Sequence, residues 1–372
     1  MRGGGSCVIP REGAEAISSL QMPRCRVDTS ISRQTAEGFD FPLGVYPVER
    51  MSPREGYTVA FEQADAAMPE GGDAEGADLP EWPDRYVFDI VVKSSRVEAI
   101  SRQLFALLPG RVFPILDLLG NDAYREIDPY IAYDLVGIER FLECAKRFRP
   151  FFYEDGMVGF GAMSEEPFFY VFVDEHKIIT VRAPVESKDR VDALLAAFDL
   201  KPVEHLAGAD SALHEHRNVL ESPGDRPDLL TAEEIVEELI DSWGLELNID
   251  PSGNFDSEGI ELGITPWRCI TRMMDDQSDM RYRESLVTAS TLSIARELAT
   301  DDALSAEGEE TLSAKPLAES ADESSIDAFV LAAERLKADE FAQLVDSLVE
   351  KPGFHGRPSE RDEKVVFSRW LD

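Results

Sequence analysis

The stretch from Met157 to Ala183 reads MVGFGAMSEEPFFYVFVDEHKIITVRA, and it decides the fold. Val158, Phe160 and Ala162 alternate with small residues. Phe168 to Val173 is almost wholly apolar, and Ile178 to Val181 is β-branched. Turns rich in Glu, Asp and His separate the three runs. Aromatic and β-branched side chains suit a pleated surface, so the pattern predicts a three-stranded antiparallel meander with Asp174, Glu175 and His176 in its second turn. The middle run has few polar side chains on either face, which places it centrally in a sheet and covered on both sides.

Order spreads from this meander in both directions. Upstream, Tyr86 to Val92 is strand-like, and Ser95 with Glu98 fits a capping box. Val97, Ile100, Leu104 and Leu107 then share one helical face until Pro109-Gly110, and Val112 to Leu119 is the next strand. This is a β-α-β start. Asp128-Pro129 opens a further strand, Tyr130 to Val136. A helix from Ile138 to Phe148 turns Phe141, Leu142 and Ala145 inward. Downstream, Ser187 precedes a helix with Val191, Leu194, Leu195 and Phe198 on its inner face. Arg96-Val97-Glu98-Ala99 and Arg190-Val191-Asp192-Ala193 both start helices after strands. That echo fits a ferredoxin-like arrangement, although two independent helix starts explain it more simply. The class is α+β, with a mainly antiparallel sheet domain at 85–206.

The remaining segments are assigned by composition. Residues 1–84 are weakly patterned and end in a flexible acidic linker, and 207–228 form a polar linker broken by Gly and Pro. A small α+β domain is expected at 229–299. It opens on a Thr231–Glu234 capping box. Leu245, Leu247 and Ile249 then alternate with polar residues, as do Ile260, Leu262 and Ile264, predicting a hairpin closed by Asp250 to Gly259. Thr265-Pro266 reads as a helix start, with Trp267, Ile270 and Met274 inward, and a longer helix spans Tyr282 to Ala299. Residues 300–324 read as a disordered acidic linker, 325–350 as one amphipathic helix, and 351–372 as a tail.

With 73 acidic and 37 basic side chains, the formal net charge is −36. Repulsion of that size excludes a sequence-independent grip on nucleic acid or anionic membrane. No run approaches the roughly 18 apolar residues of a membrane span. Cys7, Cys25, Cys144 and Cys269 form no CxxC pair, which argues against a zinc knuckle and against a disulfide-dense secreted fold. The N-terminal residues lack the apolar core of a signal peptide. A soluble, reduced, cytoplasmic protein is expected.

Three constellations could carry chemistry. Asp250, Ser252, Asn254, Asp256, Glu258 and Glu261 occupy the oxygen-donor positions of a calcium loop, but Phe255 stands where an EF-hand needs Gly. A solvated hairpin loop is the plainer account. His205, His214 and His216 concentrate imidazoles suited to zinc, yet His-x-His in a polar linker is not the His-Glu-x-x-His helix spacing. Arg268, Arg272, Arg281 and Arg283 could bind an anion in two-point fashion, with local ion pairing to neighbouring acids as the alternative. Asp128, Asp134, Glu154 and Asp155 lie near strand ends, where an acid and base could pair. No phosphate loop, nucleophile elbow or dinucleotide fingerprint occurs. No cofactor is expected, with calcium or zinc the alternative. The expected function is a non-enzymatic interaction or regulatory module with a protein partner, working through the exposed edge of the first sheet and the C-terminal helix. A hydrolase or other enzyme using carboxylates or a metal in the first domain is the alternative, and a cation-binding protein using the 250–261 loop the third.

Overall fold

A computed structural model describes residues 25–64, 82–221, 228–256, 258–274, 280–314, 327–359 and 361–371. Strands β1 (Thr35–Ala36) and β2 (Phe39–Asp40) pair with each other, followed by β3 (Val45–Pro47) and β4 (Gly56–Glu62). Then come β5 (Arg85–Val91), α1 (Ser94–Phe105), β6 (Arg111–Leu119), β7 (Ile127–Ala132) and β8 (Val136–Gly137). Helices α2 (Ile138–Arg147) and α3 (Arg149–Glu154) lead into the meander β9 (Val158–Glu165), β10 (Phe168–Val173) and β11 (Ile179–Pro184). After it come α4 (Lys188–Ala197), β12 (His214–His216), α5 (Ala232–Trp243) and β13 (Leu245–Leu247).

The main sheet has nine strands in the order β13-β7-β6-β9-β10-β11-β5-β4, with β8 beside β6, and every named pair is antiparallel. The fold is therefore α+β, as the sequence pattern indicates. The meander stands at its centre, and α1 carries the chain across it from β5 to a parallel β6. Because three strands lie between those two, the order lends no support to a ferredoxin-like unit. One face of the sheet is covered by α1 to α5, whose Val97, Leu104, Phe141, Leu195 and Leu239 join Phe160, Val171 and Val181 in the principal core. On the opposite face Phe172 lies against the β9 backbone. A Cβ at Gly161 would fall 2.3 Å from the Val171 carbonyl and 2.7 Å from the Phe172 ring, which accounts for the small residues between Val158 and Ala162.

The predicted Thr231–Glu234 capping box is complete, with both reciprocal bonds present. The Ser95–Glu98 box is not: α1 starts at Ser94 without a side-chain cap, and Glu98 is taken by Arg149.

Several elements differ from expectation beyond residue 206. Gly244, in the left-handed region at φ 64°, ends α5 and returns the chain to the main sheet. Leu245 to Leu247 thus pair with β7 rather than with 260–264, and Ile260 is exposed. The expected helices at 265–274 and 282–299 are instead a strand hairpin, β14 (Thr265–Met274) with β15 (Met280–Ala289), and then α6 (Leu292–Ala314). The reason is period two: Trp267, Cys269, Thr271 and Met273 are buried while their neighbours are not. The 325–350 region is β16 (Asp327–Arg335) and α7 (Ala338–Leu348), not one helix. A bulge in the β16–β14 register between Ile270 and Thr271 leaves Leu331 unpaired. It sets buried Val330 and Ala333 three apart, which imitates a helical stripe.

Residues 301–314 continue α6, with Ala303 fully buried and Asp302 held by Arg283 at 2.6 Å, so this part of the expected disordered linker is helix. Residues 315–326, like 1–24, 65–81 and 222–227, lie outside the described residues. The 351–372 tail contains β17 (Lys364–Leu371). Together these make a second antiparallel sheet, β16-β14-β15-β17. Ala295 and Ala299 of α6 pack against Trp267, Cys269 and Val287, whereas Phe341, Val345 and Leu348 of α7 pack with Leu286 and Val366. Since Leu286 and Val287 point to opposite faces, the two helices cover opposite sides of this sheet. The two sheets are tied by Arg335, whose guanidinium reaches buried Asp122 at 2.8 Å, Asn254 Oδ1 at 3.1 Å and the Phe255 carbonyl at 2.7 Å. No described helix is long and apolar enough to cross a membrane.

Candidate metal centre

The segment around 207–221 is not only a linker. Its His214, Glu215 and His216 form β12, which pairs with Pro47, Tyr46 and Val45 of β3. Alternation along a strand sends His214 and His216 to one face and Glu215 to the other, where it accepts a bond from the Tyr46 hydroxyl. Close backbone approach at Gly44 and Gly156 seats this strand. A Cβ at Gly44 would fall 2.0 Å from the Gly156 nitrogen, and each glycine bonds to the backbone of Arg217.

The third imidazole comes from the turn between β10 and β11. Asp174 organises that turn by accepting from the Ile178 amide at 2.7 Å, and Lys177 adopts a left-handed φ of 65°. The Lys177 ammonium is buried and donates to the Val158 carbonyl at 2.5 Å, which offsets the strain. Burial lowers its pKa to about 8, against the pull of Asp155, Asp174 and Glu175. His176, just before it, projects toward β12.

The three rings meet edge to face, with centroids 4.7, 4.8 and 4.9 Å apart. One nitrogen from each lies within 4.8 Å of the other two, and His176 Nε2 stands 2.9 Å from His214 Nε2. Each Nδ1 is committed to oxygen. His214 Nδ1 is 2.7 Å from the Ala212 carbonyl, and His216 Nδ1 is 2.7 Å from the Gly156 carbonyl. His176 Nδ1 is 3.2 Å from Glu175 Oε1 and 3.5 Å from Asp174 Oδ2. Carbonyls and carboxylates only accept, so these neighbours place a proton on each Nδ1, and the Nε2 atoms of His176 and His214 face each other. Such second partners orient imidazoles at metal sites. Zinc bonds of 2.0–2.1 Å in a tetrahedral set put nitrogen atoms ~3.4 Å apart, within the separations found here.

Two lone pairs 2.9 Å apart repel unless a proton or a metal ion lies between them. A proton can serve: burial opposes charge on His176, but its bonds to Asp174 and Glu175 outweigh that and push its pKa up to about 10. Burial likewise opposes the Glu175 charge, and the His176 bond still brings its carboxyl down to about 2. His216 moves the other way, its pKa lowered chiefly by burial.

Of the residues singled out by sequence, His214 and His216 are brought together, whereas exposed His205 is not part of the cluster. His176 was legible only as a turn residue. No periodicity links it to a segment 38 positions away, and only the strand topology does so.

In the other constellations the side chains are engaged with local partners. Asp250 caps its own turn through Ser252, and Asp256 accepts from the Glu258 and Ile260 amides. Asn254 is buried against Thr265 and Arg335, so the 250–261 donors do not converge. Glu261 only forms a backbone bridge with Phe255, and Ser257 lies outside the described residues. Arg268 pairs with Glu284 at 2.7 Å and Arg283 with Asp302, while Arg281 lies over Trp370. Arg272 sits over Phe329, with Asp241 3.9 Å away. Of the four carboxylates near strand ends, Glu154 is held by Arg33, Asp128 by Arg125, and Asp155 by the Met157 and Val219 amides. Asp134 has no described partner among these three.

Comparison with protein-family models, with curated proteins and with solved structures found no match.

Proposed function

We propose that this chain is a transition-metal-binding protein, with His176, His214 and His216 as its ligands and zinc as the metal best suited to them. One observation carries the proposal: three imidazoles whose Nδ1 atoms all lie beside oxygen acceptors bring one nitrogen each within 4.8 Å of the other two. Neutral imidazole suits zinc, copper, nickel or iron, whereas a hard cation such as calcium takes oxygen donors. Structural zinc is closed by four protein ligands, while a set of three leaves a position for water or substrate. This favours metal-assisted chemistry over a purely structural ion or an interaction module. The apolar stripe of α7, which would otherwise favour a partner, is occupied by the second sheet.

Metal analysis after zinc loading and exhaustive dialysis tests this. The expected result is one zinc per chain in the wild type and in His205→Ala, and loss of that zinc in His176→Ala and His214→Ala. Equal zinc in all four proteins, or none in the wild type, would overturn the proposal.

A further inference from the structure

A cavity of about 720 Å³ lies between the two sheets, away from the histidines. One wall is α5 and the edge strand β13, and the other is β16 with α6. Leu245, Leu247, Ile249, Phe329 and Val330 are among its apolar lining. A volume of that order suits a small organic molecule.

Two guanidinium groups line this space beside apolar side chains and three carboxylates. Arg272 is largely buried, with a side chain 15 % exposed, and its nearest carboxylate, Asp241, is itself 67 % exposed. Arg296, on α6, has a buried Nε without a hydrogen-bond partner among the described residues. The groups that act on its charge are Tyr130 and Cys269, both neutral near pH 7, and Arg125, which is cationic. Burial holds its pKa below the ordinary arginine value. In a chain of net charge −36, a half-buried arginine with no carboxylate partner among the described residues is an unusual expense of solvation. An anion in the cavity would remove that cost.

The rest of the lining narrows the class. Glu237, Asp241 and Glu246 also border the cavity, and the whole surface is acidic, so a polyanion such as a nucleotide is repelled. One carboxylate can be gripped in two-point fashion by a guanidinium, and the aliphatic and aromatic walls can enclose an apolar body. We infer that this cavity is a binding site for a small monocarboxylate with an apolar body, its carboxylate held by Arg296.

Titration calorimetry with octanoate, octanol and inorganic phosphate tests the assignment on the full chain. Octanoate should bind once per chain, at least tenfold more tightly than octanol, with no heat from phosphate. Arg296→Gln should weaken octanoate at least tenfold while its ligand-free melting temperature stays the same or rises, because a buried charge has been removed. Arg296→Met, which keeps an unbranched side chain without its charge, gives the same test in case the first variant does not fold. His214→Ala should keep octanoate binding, which separates this site from the metal centre. Equal affinity for octanoate and octanol, preference for phosphate, absence of octanoate binding, or wild-type affinity in a folded arginine variant would overturn the inference.

Discussion

An imidazole is a good metal ligand when its second nitrogen is already held, because the ring then cannot turn away or present a proton. His214, His216 and His176 meet that condition through Ala212, Gly156 and the Asp174–Glu175 pair. Two of the three were legible in the sequence as a concentration of imidazoles, but the strand that puts both rings on one face was not, because the segment reads as a polar linker. The acceptors were not, because two are main-chain carbonyls. A nearby carboxylate offers a separate test of the local electrostatics. Asp117 is half-buried on β6, and burial, then the charge of Glu175, pushes its carboxyl up to about 6. A folded pKa above the unfolded value means that the folded state holds the proton longer. Its contribution is therefore favourable at low pH and is lost as pH rises from about 4 through about 6. Asp117→Asn should exceed the wild type in stability at pH 8, by about 1 kcal/mol after allowance for partial exposure, and the gap should close toward pH 4. Urea midpoints at pH 4.5, 6 and 8 would check this, and a gap independent of pH would contradict it.

Among the elements, α7 separates a docked helix from a free one most plainly. Phe341 is 7 % exposed and packs with Leu286, Val366 and Phe367. Phe341→Ala should cost about 3 kcal/mol in a cooperative unfolding curve. An unchanged midpoint would mean that the helix faces outward and awaits a partner. The sequence showed this helix as the second half of a single long one, because the β16 bulge spaces Val330 and Ala333 like helical neighbours. The meander was legible for the opposite reason, since its alternation runs unbroken from Val158 to Ala162 and its partners are adjacent in the chain. The 265–289 hairpin carries the same alternation, but Thr265-Pro266 imitates a helix start. Partners distant in sequence left no local mark, which is why β13 on β7 and β12 on β3 came only from the structure.

Across the whole molecule, the fold does for the histidine cluster what no single segment could. The β10–β11 turn supplies one ligand, and β12, anchored on β3 and the Gly156 turn, supplies two. A surface of net charge −36 attracts cations from a distance, and only the histidine cluster offers them nitrogen donors in a converging set among the described residues. X-ray absorption at the zinc edge of the loaded protein tests this most directly. The expected spectrum has three imidazole nitrogens at about 2.0 Å, one lighter-atom ligand and no sulfur. A sulfur shell, a set of oxygens without imidazole, or a spectrum unchanged in His176→Ala would contradict the assignment of His176, His214 and His216 as the metal centre.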